Sequence, residues 1–142
     1  LSNGVTVIDE QITEIAKDIY SSGAIGETKE QSIILDTNHG LIIIFGCAHS
    51  GVGDVAKMAS KHFDKNILLV LGGFHLANKS EDEIFTLIKI LKESNTRYIC
   101  PSHCTGERAK EIFSSHLKDI YIEGEVGLSI EFDKDGTLRS YL

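Results

Sequence analysis

Three of the six histidines in this 142-residue chain sit in equivalent places. His49, His75 and His103 each follow an apolar, β-branched run, lie in a short loop and precede a segment of helical periodicity. In an open α/β layer the loops at the carboxyl ends of the strands converge on one crevice, and helix N-termini point into it. Three histidines at that edge would face one another. Imidazole is the common neutral nitrogen ligand for zinc and iron, and a cluster with open positions is how proteins hold catalytic metal. Gly46, Gly51, Gly72, Gly73 and Gly106 flank these histidines and permit tight turns and close backbone approach.

The elements that must position them are legible in the hydrophobic pattern. Ser32 to Asp36 and Leu41 to Phe45 are β-branched runs joined by Thr37-Asn38-His39-Gly40, residues that accept positive φ in a tight turn. From Leu41 onward strands and helices alternate. Leu41 to Phe45 leads through His49 to a helix over Val52 to His62, with Val52, Val55, Ala56 and Ala59 on one face. Ile67 to Leu71 leads through His75 to a second helix, opened by Ser80 with Glu83 three residues later as a capping box. Its buried stripe is Ile84, Leu87, Ile88 and Leu91. Arg97 to Cys100 leads through His103 to a third helix carrying Ala109, Ile112 and Phe113 inward. Ile120 to Ile122, Gly127 to Phe132 and Thr137 to Tyr141 read as closing strands, the last two joined by Asp133-Lys134-Asp135-Gly136. Upstream, Val5 to Ile8 and Asp18 to Ser21 read as strands and Gln11 to Lys17 as a turn of helix.

The other chemically capable residues have plainer readings. His39 belongs to a turn, and His62 and His116 to helices as packing or solvent residues. Cys47 reads as a small packing residue at a strand end, although a thiolate ligand beside His49 is possible. Cys104, next to His103, is the more reactive candidate. Cys47, Cys100 and Cys104 have no C-x-x-C spacing, which argues against a disulfide framework or a structural zinc knuckle. Asp54 and Arg108 read as helix-dipole and solvated residues.

Composition narrows the partners. Fourteen Lys and Arg against 21 Asp and Glu give a formal charge of -7, the wrong sign for neutralising a polyanion, so nucleic acid and anionic membrane are not expected. No apolar run approaches the roughly 20 residues needed to cross a bilayer, and a cytoplasmic protein is expected.

The segments Gly46-Cys47-Ala48-His49-Ser50-Gly51, Gly72-Gly73-Phe74-His75-Leu76 and Pro101-Ser102-His103-Cys104-Thr105-Gly106 resemble three successive signatures of one branch of the metallo-β-lactamase superfamily. That branch comprises metal-dependent hydrolases related to dihydropterin-ribofuranosylaminobenzene phosphate synthase. Glu30-Gln31-Ser32 and Asn38-His39-Gly40-Leu41 also fit it, and the likeness runs from about Gly23 to the end. It implies an α/β fold, the αβ/βα sandwich, with residues 1-142 as a single domain forming the C-terminal half: a mixed sheet with three strand-loop-helix units. It also implies one or two ions of zinc, iron or manganese, held by His49 and His103. His75 stands where many relatives carry a metal-bridging aspartate, and would act as a ligand or as a catalytic group contacting the substrate. Cys104, Thr105 and Gly106, near the start of the third helix, would bind an anionic part of a substrate, with a plain N-cap as the alternative for Thr105.

The superfamily's first signature, His-x-His-x-Asp-His, does not occur in these 142 residues. With Leu1 in place of an initiator methionine, the chain is expected to be part of something longer. Two functions are therefore open: a hydrolase acting on a small, phosphorylated or pterin-like substrate through a metal-activated water, the isolated chain being expected to be inactive, or a non-catalytic metal-binding or protein-interaction module, inactive without the missing His-x-His-x-Asp-His half. In the isolated chain, two or three histidines without a carboxylate cluster imply weak, substoichiometric zinc. An uncovered sheet face implies self-association or association with the missing half.

Overall fold

Parallel strands cannot be joined by a tight turn; each pair needs a crossover long enough to return the chain to the starting edge. That requirement organises the structure, a computed structural model describing residues 8–141. Strands β1 (Thr13–Ala16), β2 (Ile19–Ser21), β3 (Ile33–Thr37), β4 (Gly40–Phe45), β5 (Ile67–Gly73) and β6 (Tyr98–Ser102) lie side by side in chain order. The first four form an antiparallel meander, whereas β4, β5 and β6 are parallel. Helices α1 (Val52–Phe63) and α2 (Glu81–Glu93) are the two crossovers, and α3 (Glu107–His116) follows β6.

Alternation along the strands sorts the apolar residues onto two faces. Ile34, Leu41, Ile43, Phe45, Val70 and Ile99 share one core with the stripes of all three helices: Val52, Val55, Ala56 and Ala59; Ile84, Leu87, Ile88 and Leu91; Ala109, Ile112 and Phe113. Phe74 lies fully inside this core with its ring edge against Phe45 and Phe113. A second, smaller cluster, built on Leu69, Cys100 and Ile122, receives Leu128, Ile130, Phe132 and Leu138. The last four belong to or adjoin the hairpin of β7 (Ser129–Phe132) and β8 (Leu138–Tyr141).

The three strand-loop-helix units and both predicted hairpins are present. The Ser80 capping box forms as expected: Ser80 Oγ accepts from the Glu83 N–H at 3.3 Å, and Glu83 Oε2 accepts from the Ser80 N–H at 2.9 Å. Three expectations change. Gln11 to Lys17 is not helical. A segment that short cannot nucleate a helix without tertiary help, and left-handed Asp18 (φ 60°) turns it into the β1–β2 hairpin instead. Ile120 to Ile122 makes a single parallel bridge, Tyr121 to Ile99, rather than a strand. In the turn after β3 only Gly40 takes positive φ (125°); Asn38 and His39 do not. The strand expected over Val5 to Ile8 falls, except for Ile8, outside the described residues. Among the described residues no helix is long and apolar enough to cross a membrane.

The tightest point of the sheet lies where β5 leaves it. Gly72, paired with Phe45, has φ 116°, and a Cβ there would stand 2.1 Å from the Phe45 carbonyl oxygen. Neither the backbone nor the space admits a side chain. Gly72→Ala is expected to destabilise the protein by more than about 3 kcal/mol, read as a fall in the urea midpoint or as loss of soluble protein; a wild-type midpoint would contradict this packing.

Candidate metal centre

Each of the three histidine loops begins at the carboxyl end of a parallel strand: Gly46 to Gly51 after β4, Phe74 to Ser80 after β5, and His103 to Gly106 after β6. The loop geometry is unusual for the residues that occupy it. Ala48 (φ 52°), His75 (φ 51°) and His103 (φ 49°) are all left-handed, a region costing an ordinary L-residue roughly 1–2 kcal/mol. Such strain, held by the surrounding structure, concentrates at functional sites.

His49 and His75 meet directly, with ring centroids 4.4 Å apart. Together they line a cavity of about 390 Å³ that also includes Phe74, Asp54, Lys79 and Leu87. Glu30 holds the His49 loop in place. Its Oε1 accepts from the Cys47 N–H at 3.3 Å and its Oε2 from the Ser50 N–H at 3.4 Å, while Oε1 lies 3.4 Å from His49 Nδ1. Burial works to raise the Glu30 carboxyl, but the backbone N–H groups of Ser50, Cys47 and His49 and the His49 imidazole outweigh it, so the group stays below the usual carboxylate range. A carboxylate on Nδ1 leaves Nε2 of His49 as the free nitrogen, which is how metal-binding imidazoles are usually oriented.

His103 keeps different company. Its ring, Cys47 Sγ and Cys104 Sγ all lie within 4.8 Å of one another, a group of three potential metal donors. Cys104 Sγ donates to the Cys47 carbonyl at 3.5 Å. The neighbouring Cys104 thiol, burial and the Glu30 charge push the Cys47 thiol above its ordinary range. The expected trio of histidines is thus divided at the sheet edge into a His49–His75 pair and a His103 flanked by thiols.

Thr105 and Gly106 have backbone work. Thr105 is fully buried; its hydroxyl accepts from the Phe74 N–H at 3.1 Å and donates to the Ser102 carbonyl at 2.6 Å, tying the β5 and β6 loops together. Helix α3 begins at Glu107 with Gly106 (φ 84°) as its N-cap and no side-chain cap, so Thr105 is not the cap of this helix. His39 borders Gly136 in the hairpin turn, His62 is exposed beside Phe63, and His116 packs on Phe85 with Nδ1 3.0 Å from the Ile112 carbonyl. Asp54 lies in the first turn of α1, and Arg108 pairs with Glu81 and Glu111. Another cavity, of about 840 Å³, lies at the opposite end of the strands among Asn66, Thr96, Arg97 and Lys118. Helices α2 and α3 end there, so its cations answer the negative ends of two helix dipoles.

Sequence reasoning did not single out Glu30, which lies in the segment without periodicity and acts across 17 to 20 residues of chain. It also did not bring Cys47 to Cys104, 57 residues apart. Only the parallel pairing of β4, β5 and β6 does so.

Fold and edge residues together define the class: the chain has the mixed α/β fold of a metallo-β-lactamase-superfamily protein. It superposes on a solved metal-dependent hydrolase of the β-lactamase superfamily with a TM-score of 0.77 and 30% identity, over 84% of this chain and 55% of that one. Within the superfamily its likeness is to the branch expected from the motifs. It is 35% identical over 104 residues to 7,8-dihydropterin-6-methyl-4-(beta-D-ribofuranosyl)-aminobenzene-5'-phosphate synthase of Methanocaldococcus jannaschii, a match covering 72% of this chain and 35% of that protein. A second, uncharacterised protein of that organism is 37% identical over 86 residues, covering 61% of this chain and 32% of its own length. The chain therefore spans about a third of the curated relatives it matches and 55% of the solved structure. No family model matches the sequence.

Two outcomes test this geometry. Because Glu30 titrates below its ordinary range in the fold, its contribution is present above that range and lost as pH falls through the folded value. Glu30→Gln should cost about 1–2 kcal/mol at neutral pH, a difference from wild type that shrinks on acidification; a pH-independent difference in urea unfolding would contradict it. At His75, the left-handed backbone should make His75→Gly more stable than His75→Ala by about 1 kcal/mol, whereas equal midpoints would show that the loop relaxes.

Proposed function

We propose that this chain supplies part of the active site of a metal-dependent hydrolase acting on a small, phosphorylated or pterin-like substrate. The observation that carries the reading is the convergence of three histidine-bearing loops on the carboxyl edge of the parallel strands, two of the histidines left-handed, within a superfamily fold. The solved neighbour is called a metal-dependent hydrolase and the curated relative a synthase; both names concern those proteins, and the second suggests the substrate class.

The donor set suits a divalent ion such as zinc, iron or manganese. His49 is fixed through Nδ1 by a carboxylate, which leaves Nε2 for a ligand, and His103 stands at the equivalent position after β6. When bound, a metal would supply an acidified water and polarise the carbonyl or phosphoryl oxygen of the substrate. The chain's own residues do the rest. Glu30 holds the His49 loop through two backbone N–H groups, so the imidazole is oriented before any ligand arrives. His75 lines the same cavity as the 41% exposed His49 side chain beside it and is placed to ligate or to hydrogen-bond a developing oxyanion. Lys79 lines both cavities that His75 borders and brings positive charge toward an anionic substrate, although Glu83 shares its ammonium at 2.9 Å.

The test is turnover of a panel of phosphomonoesters, phosphodiesters and lactones by the full-length protein with zinc, manganese or iron(II), compared with chelated samples. His49→Ala and His103→Ala are each expected to lower kcat/KM by at least about 100-fold with the far-ultraviolet dichroism unchanged. Retained turnover in either variant would remove that residue from the site, and metal-independent turnover would overturn the reading.

A further inference from the structure

The histidine pattern accounts for neither Cys47 nor Cys104, yet the fold brings both thiols to His103. We propose that Cys47, His103 and Cys104 form a thiolate-rich metal-binding set that takes one soft or borderline divalent ion, zinc or cadmium in class, with one coordination position left open. This goes beyond the hydrolase reading, because such an ion would bind whether or not the site turns over a substrate.

Three observations support it. First, the donors are already gathered. A tetrahedral zinc with thiolate ligands needs donor atoms about 3.8 Å apart, and these three lie no more than 4.8 Å from one another. The gap to close is about 1 Å. Second, the backbone beneath them is cut to fit. A Cβ at Gly73 would stand 2.7 Å from Cys104 Sγ, 3.3 Å from the Cys47 Cα and 2.4 Å from the Gly46 carbonyl oxygen. Any larger residue would occupy the place where the Cys104 thiol crosses β5 to reach the Cys47 loop. Third, there is somewhere for an open position to face: Cys104 and His75 line a common cavity of about 280 Å³ with Ala77, Asn78 and Lys79.

The donor chemistry chooses the ion. Two thiolates and an imidazole favour zinc, cadmium or copper(I) over magnesium, calcium or manganese, which prefer oxygen. Binding replaces the two S–H protons by two metal–sulfur bonds and releases those protons to solvent, while the neutral imidazole donates a ring nitrogen. The Cys104 hydrogen bond to the Cys47 carbonyl is given up in the exchange. The weak, substoichiometric zinc expected of histidines alone becomes one ion per chain when thiols are included.

The experiment titrates the reduced 142-residue protein with cobalt(II) under anaerobic conditions and records near-ultraviolet thiolate-to-cobalt charge transfer. One equivalent should bind with that absorption, and zinc should displace it. Cys47→Ser and Cys104→Ser should each remove about half of the band and weaken cobalt binding at least about 10-fold; the double variant should lose the band entirely, and His49→Ala should leave it intact. Cobalt bound without the band, or a band that survives the double serine variant, would overturn the proposal while leaving metal-dependent hydrolysis standing. A folded chain, verified by circular dichroism, that binds no cobalt would overturn it as well. The hydrolase reading is judged separately, by turnover.

Discussion

Strand β5 carries no side chain over its last two residues, and the whole carboxyl edge depends on that. At Gly72 the strand lies so close to Phe45 that a Cβ would fall 2.1 Å from a carbonyl oxygen; at Gly73 it lies against the Gly46 carbonyl and the Cys104 thiol. The close approach lets three loops meet over one strand end. Gly73 N–H donates to the Gly46 carbonyl at 3.1 Å, and the Thr105 hydroxyl accepts the Phe74 N–H, so each outer loop is fastened to the central one. Bulk at either glycine would separate the loops and, with them, every donor atom they carry.

Given that edge, the side chains divide by chemistry. Towards α1 and α2 lie the two imidazoles and the carboxylate that orients one of them; towards β6 lie an imidazole and two thiols. Glu30 links the two groups, because the same carboxylate accepts from the Cys47 N–H and faces His49. A charge held by several backbone donors in a part-buried place is a stiff anchor, since moving it would strand those N–H groups without acceptors. The β4 loop therefore presents Cys47 to one side and His49 to the other from a fixed backbone.

Much of the scaffold was legible in the sequence because it repeats a strong local signal. The stripes of α1, α2 and α3 and the β-branched runs of β4 and β5 follow from periodicity, and the Ser80–Glu83 box from two residue types at one spacing. Gln11 to Lys17 misled for the opposite reason: its residues carry little preference, and pairing with Ile19 to Ser21 decided the outcome. Likewise Ile120 to Ile122 has the composition of a strand, but beyond the bridge at Ile99 it finds no continuous partner.

Residue types and spacing by themselves determined that three histidines would end three strands and that their loops would share one edge, since alternation and helix periodicity are properties of the chain. Which of those histidines would be neighbours was decided only by the tertiary structure. Pairing register and the left-handed turns at His75 and His103 set the direction of each side chain, and they place His49 against His75 and His103 among the thiols. The contacts that matter at the edge, Glu30 to Ser50 and Cys47 to Cys104, span 20 and 57 residues. No local preference encodes a contact of that length; the first exists only once the antiparallel β3–β4 pairing has set its register, the second only once the parallel strands have brought their carboxyl ends together.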